Sequence, residues 1–253
     1  MKWPHSINIA IILIVVGIVA SPYLLAAAPS SPMDNVAAMA ERGLTELRKP
    51  LYGLSRCRLS ITLSADNATV AVAADNLFSS GDLILGIGGA PLDDSSKTPV
   101  RDLLLKHGPT DDISVSVRRG KEDKTLSVKC QDAKPYYDAI TEGLYAASKH
   151  DAGACADKLE AASSMGPLSA SVGWFLLSCR EGAGRIASNA LPQQIYEIFR
   201  QLVIESKVSP DALGRIRGSV LSAVDTLNKD NANILADDLR KTLDDAVAAS
   251  SQK

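Results

Sequence analysis

Side chains able to do chemistry are few in this sequence, and their spacing matches no common catalytic pattern. The three histidines are His5, His107 and His150. None of them has the spacing of a metal site, and no G-x-S-x-G segment supplies the exposed serine of a hydrolase. Paired carboxylates such as Asp93-Asp94 are typical of turns and solvated helix faces. The sequence therefore predicts a protein that is not an enzyme and that binds no metal or other cofactor.

The four cysteines are the remaining reactive groups, and they fall as two pairs along the chain. No C-x-x-C spacing occurs, which disfavours zinc. Cys57 and Cys130 lie on the core-facing side of the first and last predicted strands of one region. Cys155 and Cys179 lie twelve residues on either side of Pro167, so a helical hairpin with its corner there brings them level. We expect disulfides Cys57–Cys130 and Cys155–Cys179; the alternative is four buried thiols.

The N-terminal segment is typical of a membrane anchor or an export signal. Ile7–Ala28 is 22 residues long and carries no charge, and about 20 apolar residues are enough to span a bilayer. Lys2 places the short N-terminal side in the cytoplasm. The segment is therefore an uncleaved anchor or a signal peptide that is cut after Ala28. Both alternatives place Pro29–Lys253 outside the cytoplasm.

Composition narrows the class of partner. The net charge is −2, and Lys and Arg are scattered among Asp and Glu, so the chain lacks the basic stripe of a nucleic-acid-binding protein. Hydrophobic residues make up 46% of the chain but aromatic residues only 4%. Small and aliphatic side chains must therefore fill the interior, which favours closely packed helices.

The segment Leu77–Leu92 organises the first globular region. It contains a Gly-Asp turn, an apolar strand, a Gly-Gly turn and a proline. The segment resembles the most recognisable stretch of bacterial-type PDZ domains, such as those of envelope proteases. The residues that carry the resemblance are Gly81, Asp82, Leu83, Ile84, Leu85, Ile87, Gly89, Pro91 and Leu92.

Alternating apolar residues predict the other elements of this region. Strands are predicted at Cys57–Leu63 and Thr69–Ala73 before the Gly-Asp segment, and at Ile113–Val117 and Leu126–Cys130 after it. One helix, opened by Thr98 and Pro99, precedes the last two strands. Strand-strand-strand-helix-strand-strand is the order of the PDZ fold in bacterial envelope proteins.

The resemblance also implies a peptide-binding groove. In PDZ domains a ligand adds as a strand to an open sheet edge, and backbone N–H groups of a hydrophobic-Gly-hydrophobic loop hold its terminal carboxylate. The matching loop here is Tyr52-Gly53-Leu54, and the groove would lie between Leu54–Ile61 and the helix. Leu103 and His107 on that helix would contact the ligand. Alternatively, His107 is a helix C-terminal residue favoured by the helix dipole.

The rest of the chain, from Asp132 onward, is predicted to be helical. One stretch has the spacing of a single tetratricopeptide repeat, carried by Ile140, Gly143, Leu144, Ala147, Cys155, Leu159, Ala162 and Pro167. Three further amphipathic stripes follow, and the last includes Ile234, Leu235, Leu239, Leu243 and Val247. An earlier amphipathic helix, Asp34–Arg48, is a stalk, a helix lying on the next domain or a short coiled coil.

Together these features predict an α+β protein in four parts. The parts are a signal anchor or signal peptide with tether (1–32), an amphipathic helix (33–50), a small PDZ-like β-sandwich with one main helix (51–131) and an all-α helical-hairpin, tetratricopeptide-like domain (132–253). We expect a single-pass protein of the bacterial inner membrane with most of the chain in the periplasm, or a secreted periplasmic protein after cleavage. The oligomeric state stays open.

The resemblance implies a non-catalytic adaptor or scaffold that binds peptide segments or partner proteins. The alternative is a regulatory subunit or degenerate relative of an envelope serine protease. A protease domain before the PDZ-like region has no room, because Pro29–Pro50 is only 22 residues long.

The N-terminal prediction is tested by intact-mass measurement of the mature, unreduced protein. Retention of Ile7–Ala28 is the expected result, because Pro29 would follow the cleavage site directly and signal peptidases work poorly there. A mature chain that begins at Pro29 would show that the segment is a signal peptide instead.

Overall fold

The structure is a computed structural model and describes residues 32–47, 57–93, 96 and 99–250. The predicted anchor and the predicted loop Tyr52-Gly53-Leu54 lie outside these residues. Within the described ranges, no helix is both long enough and apolar enough to cross a bilayer.

The β-region consists of eight strands and one short helix in the described part of the chain. The strands are β1 (Cys57–Arg58), β2 (Ile61–Leu63), β3 (Val70–Ala73), β4 (Leu83–Ile87), β5 (Ala90–Pro91), β6 (Asp112–Arg119), β7 (Glu122–Lys129) and β8 (Gln131–Asp132). They form a four-stranded sheet in the order β5-β4-β6-β7 and the two-stranded pairs β2-β3 and β1-β8, all antiparallel. Their apolar faces enclose one core that includes Val70, Ile84, Val115 and Val117.

The described part of the chain contains eight helices, one of which, α2, belongs to the β-region. They are α1 (Pro32–Leu47), α2 (Pro99–Leu104), α3 (Ala133–Ser148), α4 (Ala152–Met165), α5 (Ala170–Gly182), α6 (Leu191–Ser206), α7 (Pro210–Lys229) and α8 (Asn233–Ser250). Side-chain caps begin several of them, for example at Asp151, which accepts from the N–H of Ala154, and at Ser209, which accepts from the N–H of Ala212.

Helix α1 packs against the helices that follow the β-region. Its apolar stripe, which includes Val36, Ala40 and Leu44, belongs to the same core as Ile140 and Leu144 of α3. None of the three alternatives describes this helix, because α1 lies on α3 and α5 and not on the β-region that directly follows it. The β-region is therefore inserted between the first and second helices of one helical body.

The chain enters and leaves the β-region at one place. Strands β1 and β8 pair there, with Arg58 opposite Gln131, and Cys57 forms a disulfide with Cys130. The two Cα atoms are 5.0 Å apart although 73 residues separate them in the sequence. This is the first of the two cysteine pairs that the sequence favours. Such a closure lowers the conformational entropy of the unfolded chain and therefore stabilises the fold by roughly 4 kcal/mol.

The second disulfide, Cys155–Cys179, joins α4 to α5 across the corner at Pro167. It is the other pair that the sequence favours. Gly143 lets α3 approach α4, because a Cβ at this position would stand 2.7 Å from Cγ of Leu159. The tetratricopeptide-like character of the hairpins stays a prediction.

The last three helices form a separate core that includes Phe199 of α6, Val220 of α7 and Leu239 of α8. One predicted member of the final stripe is wrong. Ile234 is 86% exposed, because it lies in the first turn of α8, on the side away from α7 and α6.

The predicted strand Cys57–Leu63 is also wrong in two respects. The chain leaves strand geometry at Leu59 and Ser60, which divides it into β1 and β2. The alternation predicts one apolar and one solvated face, but the polar residues Arg58, Ser60, Thr62 and Ser64 are buried as well. The reason is that the helical body covers this second face.

Two glycines in helices give a matched test of the packing. Gly143→Ala should lower the free energy of unfolding by about 1–2 kcal/mol, because the clash with Leu159 outweighs the gain in helix propensity. Gly214→Ala in α7 should raise it by up to about 1 kcal/mol, because nothing lies within 4 Å of a Cβ there. Chemical denaturation of both variants measures the difference; equal effects at the two sites would contradict the close approach of α3 and α4.

Candidate functional site

The outer edge of β2 is open for hydrogen bonding. Ser60 and Ser64, which flank β2, bond toward the β3 side: Ala74 N–H donates to Ser60 at 2.9 Å, and Ser64 N–H donates to Thr69 at 2.8 Å. Since backbone groups alternate along a strand, those of Ile61 and Leu63 point to the opposite edge. Among the described residues no strand pairs with that edge.

Apolar side chains line one side of this edge. Ile61 and Leu63 are half-buried and pack against the β-region core. Leu103 of α2 is part of the same core and is only 7% exposed. A strand added to β2 would place alternate side chains beside Ile61 and Leu63.

The predicted site residues are only partly brought together. Tyr52, Gly53 and Leu54 lie outside the described residues. Leu103 faces the core of the β-region from α2. His107 lies beyond the end of α2, which stops at Leu104. Its ring packs on the Gly-Gly turn, where a Cβ on Gly88 would stand 2.7 Å from it.

The Gly-Asp pair of the sequence motif has a role that sequence reasoning missed. Asp82 is 1% exposed and accepts two hydrogen bonds from Arg119, at 2.8 and 2.7 Å, and one from the N–H of Ser79 at 2.9 Å. The Arg119 guanidinium holds the pKa of the Asp82 carboxyl below its usual value. This ion pair fixes the start of β4 against the end of β6.

Arg58 anchors the β-region to the helical body. Its Nη2 donates to Met165 O at 2.5 Å and to Gln131 Oε1 at 2.6 Å, and the guanidinium lies 4.0 Å from the ring centroid of Tyr136. Gly166 leaves room for it, since a Cβ there would stand 2.5 Å from Nη1. Burial lowers the pKa of Arg58, and within the described residues no carboxylate pairs with it.

A second junction lies at the β2–β3 turn. The N–H of Ala65 donates to the carbonyl of Glu205 in α6 at 2.7 Å. The Glu205 side chain accepts from Gln201 Nε2 at 2.7 Å and from the N–H of Ala170, the first residue of α5, at 3.0 Å. Burial raises the pKa of the Glu205 carboxyl. Helix α6 therefore contacts the end of the β2–β3 hairpin, next to the edge formed by Ile61 and Leu63.

Metal chemistry finds no support in the described ranges. No group of three or more His, Cys, Asp or Glu residues there is placed to hold a metal ion. All four cysteines are in disulfides, and disulfides are typical of an oxidising, extracytoplasmic compartment.

The order of elements in the β-region agrees with the result of comparing the sequence with known protein families. Residues 61–130 match the PDZ domain. The match includes β2, the Gly-Asp segment, α2 and both strands of the β6–β7 hairpin. No curated protein and no solved structure matches the chain.

The match confirms the resemblance for this region and gives it a class of function, because PDZ domains bind peptide or protein segments. It begins at Ile61, so β1 and the segment 52–54 precede it, and of the described helices only α2 lies inside it. The protease-type subclass of the PDZ domain stays a prediction.

The Asp82–Arg119 pair predicts a pH-dependent stability. Because the pKa of Asp82 is lowered in the folded state, its contribution is complete above the unfolded pKa of about 4 and is lost as the pH falls through the folded value. Asp82→Asn should lower the free energy of unfolding by about 2 kcal/mol at pH 7. The difference between the two proteins should shrink as the pH is lowered below about 4.

Asp157→Asn is the matched control, because Asp157 accepts from Arg185 in the same way but on the surface. Its effect should be smaller than that of Asp82→Asn in urea titrations at pH 7. If both variants lower the free energy of unfolding by the same amount at neutral pH, this result would show that burial of Asp82 does not strengthen its ion pair.

Proposed function

We propose that this protein is a non-catalytic adaptor of the bacterial envelope, whose PDZ domain binds extended peptide segments of partner proteins at the open edge of β2. The observation that carries the proposal is the unpaired edge formed by Ile61 and Leu63 in a region that matches the PDZ domain. Strand addition supplies affinity through backbone hydrogen bonds, and alternate side chains supply specificity.

The binding step follows from the geometry of the edge. A ligand strand would exchange N–H···O bonds with Ile61 and Leu63 without disturbing the β2–β3 bonds. Its alternate side chains would meet the half-exposed apolar side chains of Ile61 and Leu63. We propose that Gly53, in the loop before β1, allows backbone N–H groups to converge on the ligand carboxylate.

The helical body serves as the support of the PDZ domain in this proposal. It holds the β2–β3 hairpin through Glu205. Through Arg58 it holds the neck, which is the β1–β8 pair together with the Cys57–Cys130 disulfide. We propose a domain division in which 33–50 and 132–253 form one helical body, with 51–131 inserted. The tetratricopeptide-like hairpins are a candidate second surface for partner proteins.

The proposed location is the periplasmic face of the inner membrane. Ile7–Ala28 is uncharged and long enough to anchor the chain, and the two disulfides fit an oxidising compartment. Regulation of an envelope protease is the alternative role, and it would use the same peptide-binding edge.

The proposal is tested by selection from a displayed library of random C-terminal peptides against the full chain. Peptides with an apolar C-terminal residue should be enriched, and Leu63→Pro should weaken the selected peptide at least about tenfold. The reason is that proline removes an outward N–H and leaves the bonds to β3 intact. Fluorescence anisotropy measures the affinity.

Leu63→Val is the matched control, since it keeps the N–H and an apolar side chain and should bind within about threefold. Circular dichroism establishes that both variants fold. Failure to enrich any peptide, or equal binding by the proline and valine variants, would count against strand addition at β2.

A further inference from the structure

Among the described residues, the outer edge of β7 is a second open edge of the PDZ domain. β7 is the last strand in the order β5-β4-β6-β7. Arg119 pairs with Glu122 across a two-residue turn, and Ser114 accepts from the N–H of Gly88 on the other side of β6. Even-numbered residues of β7 therefore bond to β6, and the odd-numbered residues direct their backbone groups outward.

This edge is exposed along its length. The residues with outward backbone groups are Asp123, Thr125, Ser127 and Lys129, and all of their side chains are exposed. Among the described residues no strand pairs with them. The open edge ends at Lys129, because from Gln131 onward β1 pairs with β8.

The solvent face of the β6–β7 hairpin has an ordered charge pattern. Register places Arg118 opposite Asp123 at one end and Asp112 opposite Lys129 at the other. Between these ends the facing pairs carry hydroxyl groups, Ser116 with Thr125 and Ser114 with Ser127. Each end of β7 thus has a charge of the opposite sign to that at its other end.

We infer that two copies of this chain associate through antiparallel pairing of their β7 edges, centred on Leu126. This register places Asp123 opposite Lys129 of the second copy, and Thr125 opposite the second copy's Ser127. The pairing joins two four-stranded sheets into one and forms about eight new backbone hydrogen bonds.

The proposed register gives complementary rows across the joined sheet. An outer row of facing side chains crosses four strands of the joined sheet. It consists of Arg118 and Asp123 of one copy, followed by Lys129 and Asp112 of the second copy, so that the charges alternate in sign. The carboxylate of Asp123 already accepts two bonds from Arg118 and keeps lone pairs for a second cation. Each middle row consists of Ser and Thr, which pair well across strands.

The neighbouring register is less favourable. Centring the two-fold axis on Thr125 would place Lys121 opposite Lys129 of the second copy, and like charges that face each other across strands destabilise the pair. Charge complementarity therefore favours a second copy of this chain as the occupant of this edge, and favours the register centred on Leu126 over the one centred on Thr125.

The dimer leaves the β2 edge free. β2 pairs with β3 in a different sheet, and the new hydrogen bonds use only the outward backbone groups of β7. Two ligand-binding edges in one particle would increase the avidity for a partner that carries two peptide segments. The inference does not depend on the proposed peptide function, because the dimer can form whether or not β2 binds a ligand.

The test uses the full chain in mild detergent and measures self-association by sedimentation over a range of protein concentrations. The native chain should dimerise. Asp123→Lys and Lys129→Asp should each weaken the dimer about tenfold or more, because each introduces like charges at both ends of the pairing. The double variant Asp123→Lys/Lys129→Asp should recover part of the lost affinity, because it restores opposite charges between the two copies although it puts like charges beside Arg118 and Asp112 within each chain.

Cysteine cross-linking tests the register independently. Leu126→Cys should form an intermolecular disulfide under mild oxidation, because the two copies of residue 126 face each other at the axis. Ser114→Cys, exposed on β6, is the control and should remain uncross-linked. Adding Asp123→Lys to Leu126→Cys should suppress the cross-link.

Three results would overturn the inference. One is a native chain that stays monomeric at about 100 μM, roughly the upper range of a weak specific dimer. Another is a dimer that the charge variants do not weaken, which would place the contact elsewhere. The third is a double variant that fails to recover association while keeping its native melting temperature.

Discussion

The closure of the neck is the constraint on which the rest of the structure depends. The Cys57–Cys130 disulfide and the β1–β8 pair bring the two ends of the PDZ domain together. Only because these ends meet can α1, which precedes the domain, share a core with α3, which follows it. The two parts are therefore one architecture: a helical body with a sheet inserted into its first connection.

Two charged side chains, the buried Arg58 and the half-buried Glu205, lie at the junction between the two parts, and neither has a partner of opposite charge among the described residues. Arg58 uses neutral acceptors and the face of Tyr136, whose pKa burial raises to about 12. Glu205 uses the first N–H of α5 and the amide of Gln201. Neutral partners compensate desolvation less well than ions do. Each of these contacts is directional. They therefore contribute more to the orientation of the PDZ domain on the helical body than to the stability of the fold.

Local pattern was sufficient for much of the fold. Apolar alternation, turn glycines and helix stripes predict the order of elements, the PDZ resemblance and both cysteine pairs, because each depends on neighbours within a few residues or on symmetry about a turn. The sequence could not predict that Thr62 and Ser64 are covered, that α2 ends before His107 or that Ile234 is exposed. These outcomes depend on which distant helix lies against each element. The same is true of the candidate site. The alternation of Ile61 and Leu63 predicts a strand, but whether one edge of that strand is unpaired depends on the arrangement of the whole sheet.

The inserted arrangement has a consequence for the order in which the parts of the protein form during synthesis. Helix α1 emerges first and has no partner until the PDZ domain has followed. Once that domain folds and oxidises, the Cα atoms of Cys57 and Cys130 are 5.0 Å apart, and the shortest path along the chain from α1 to α3, taken through the disulfide, is about a dozen residues. Shortening the connection to that extent reduces the entropic cost of bringing the two helices together by about 2 kcal/mol. The PDZ domain thus acts as an intramolecular template for the helical body, and a reducing environment should slow the maturation of residues that lie far from either sulfur.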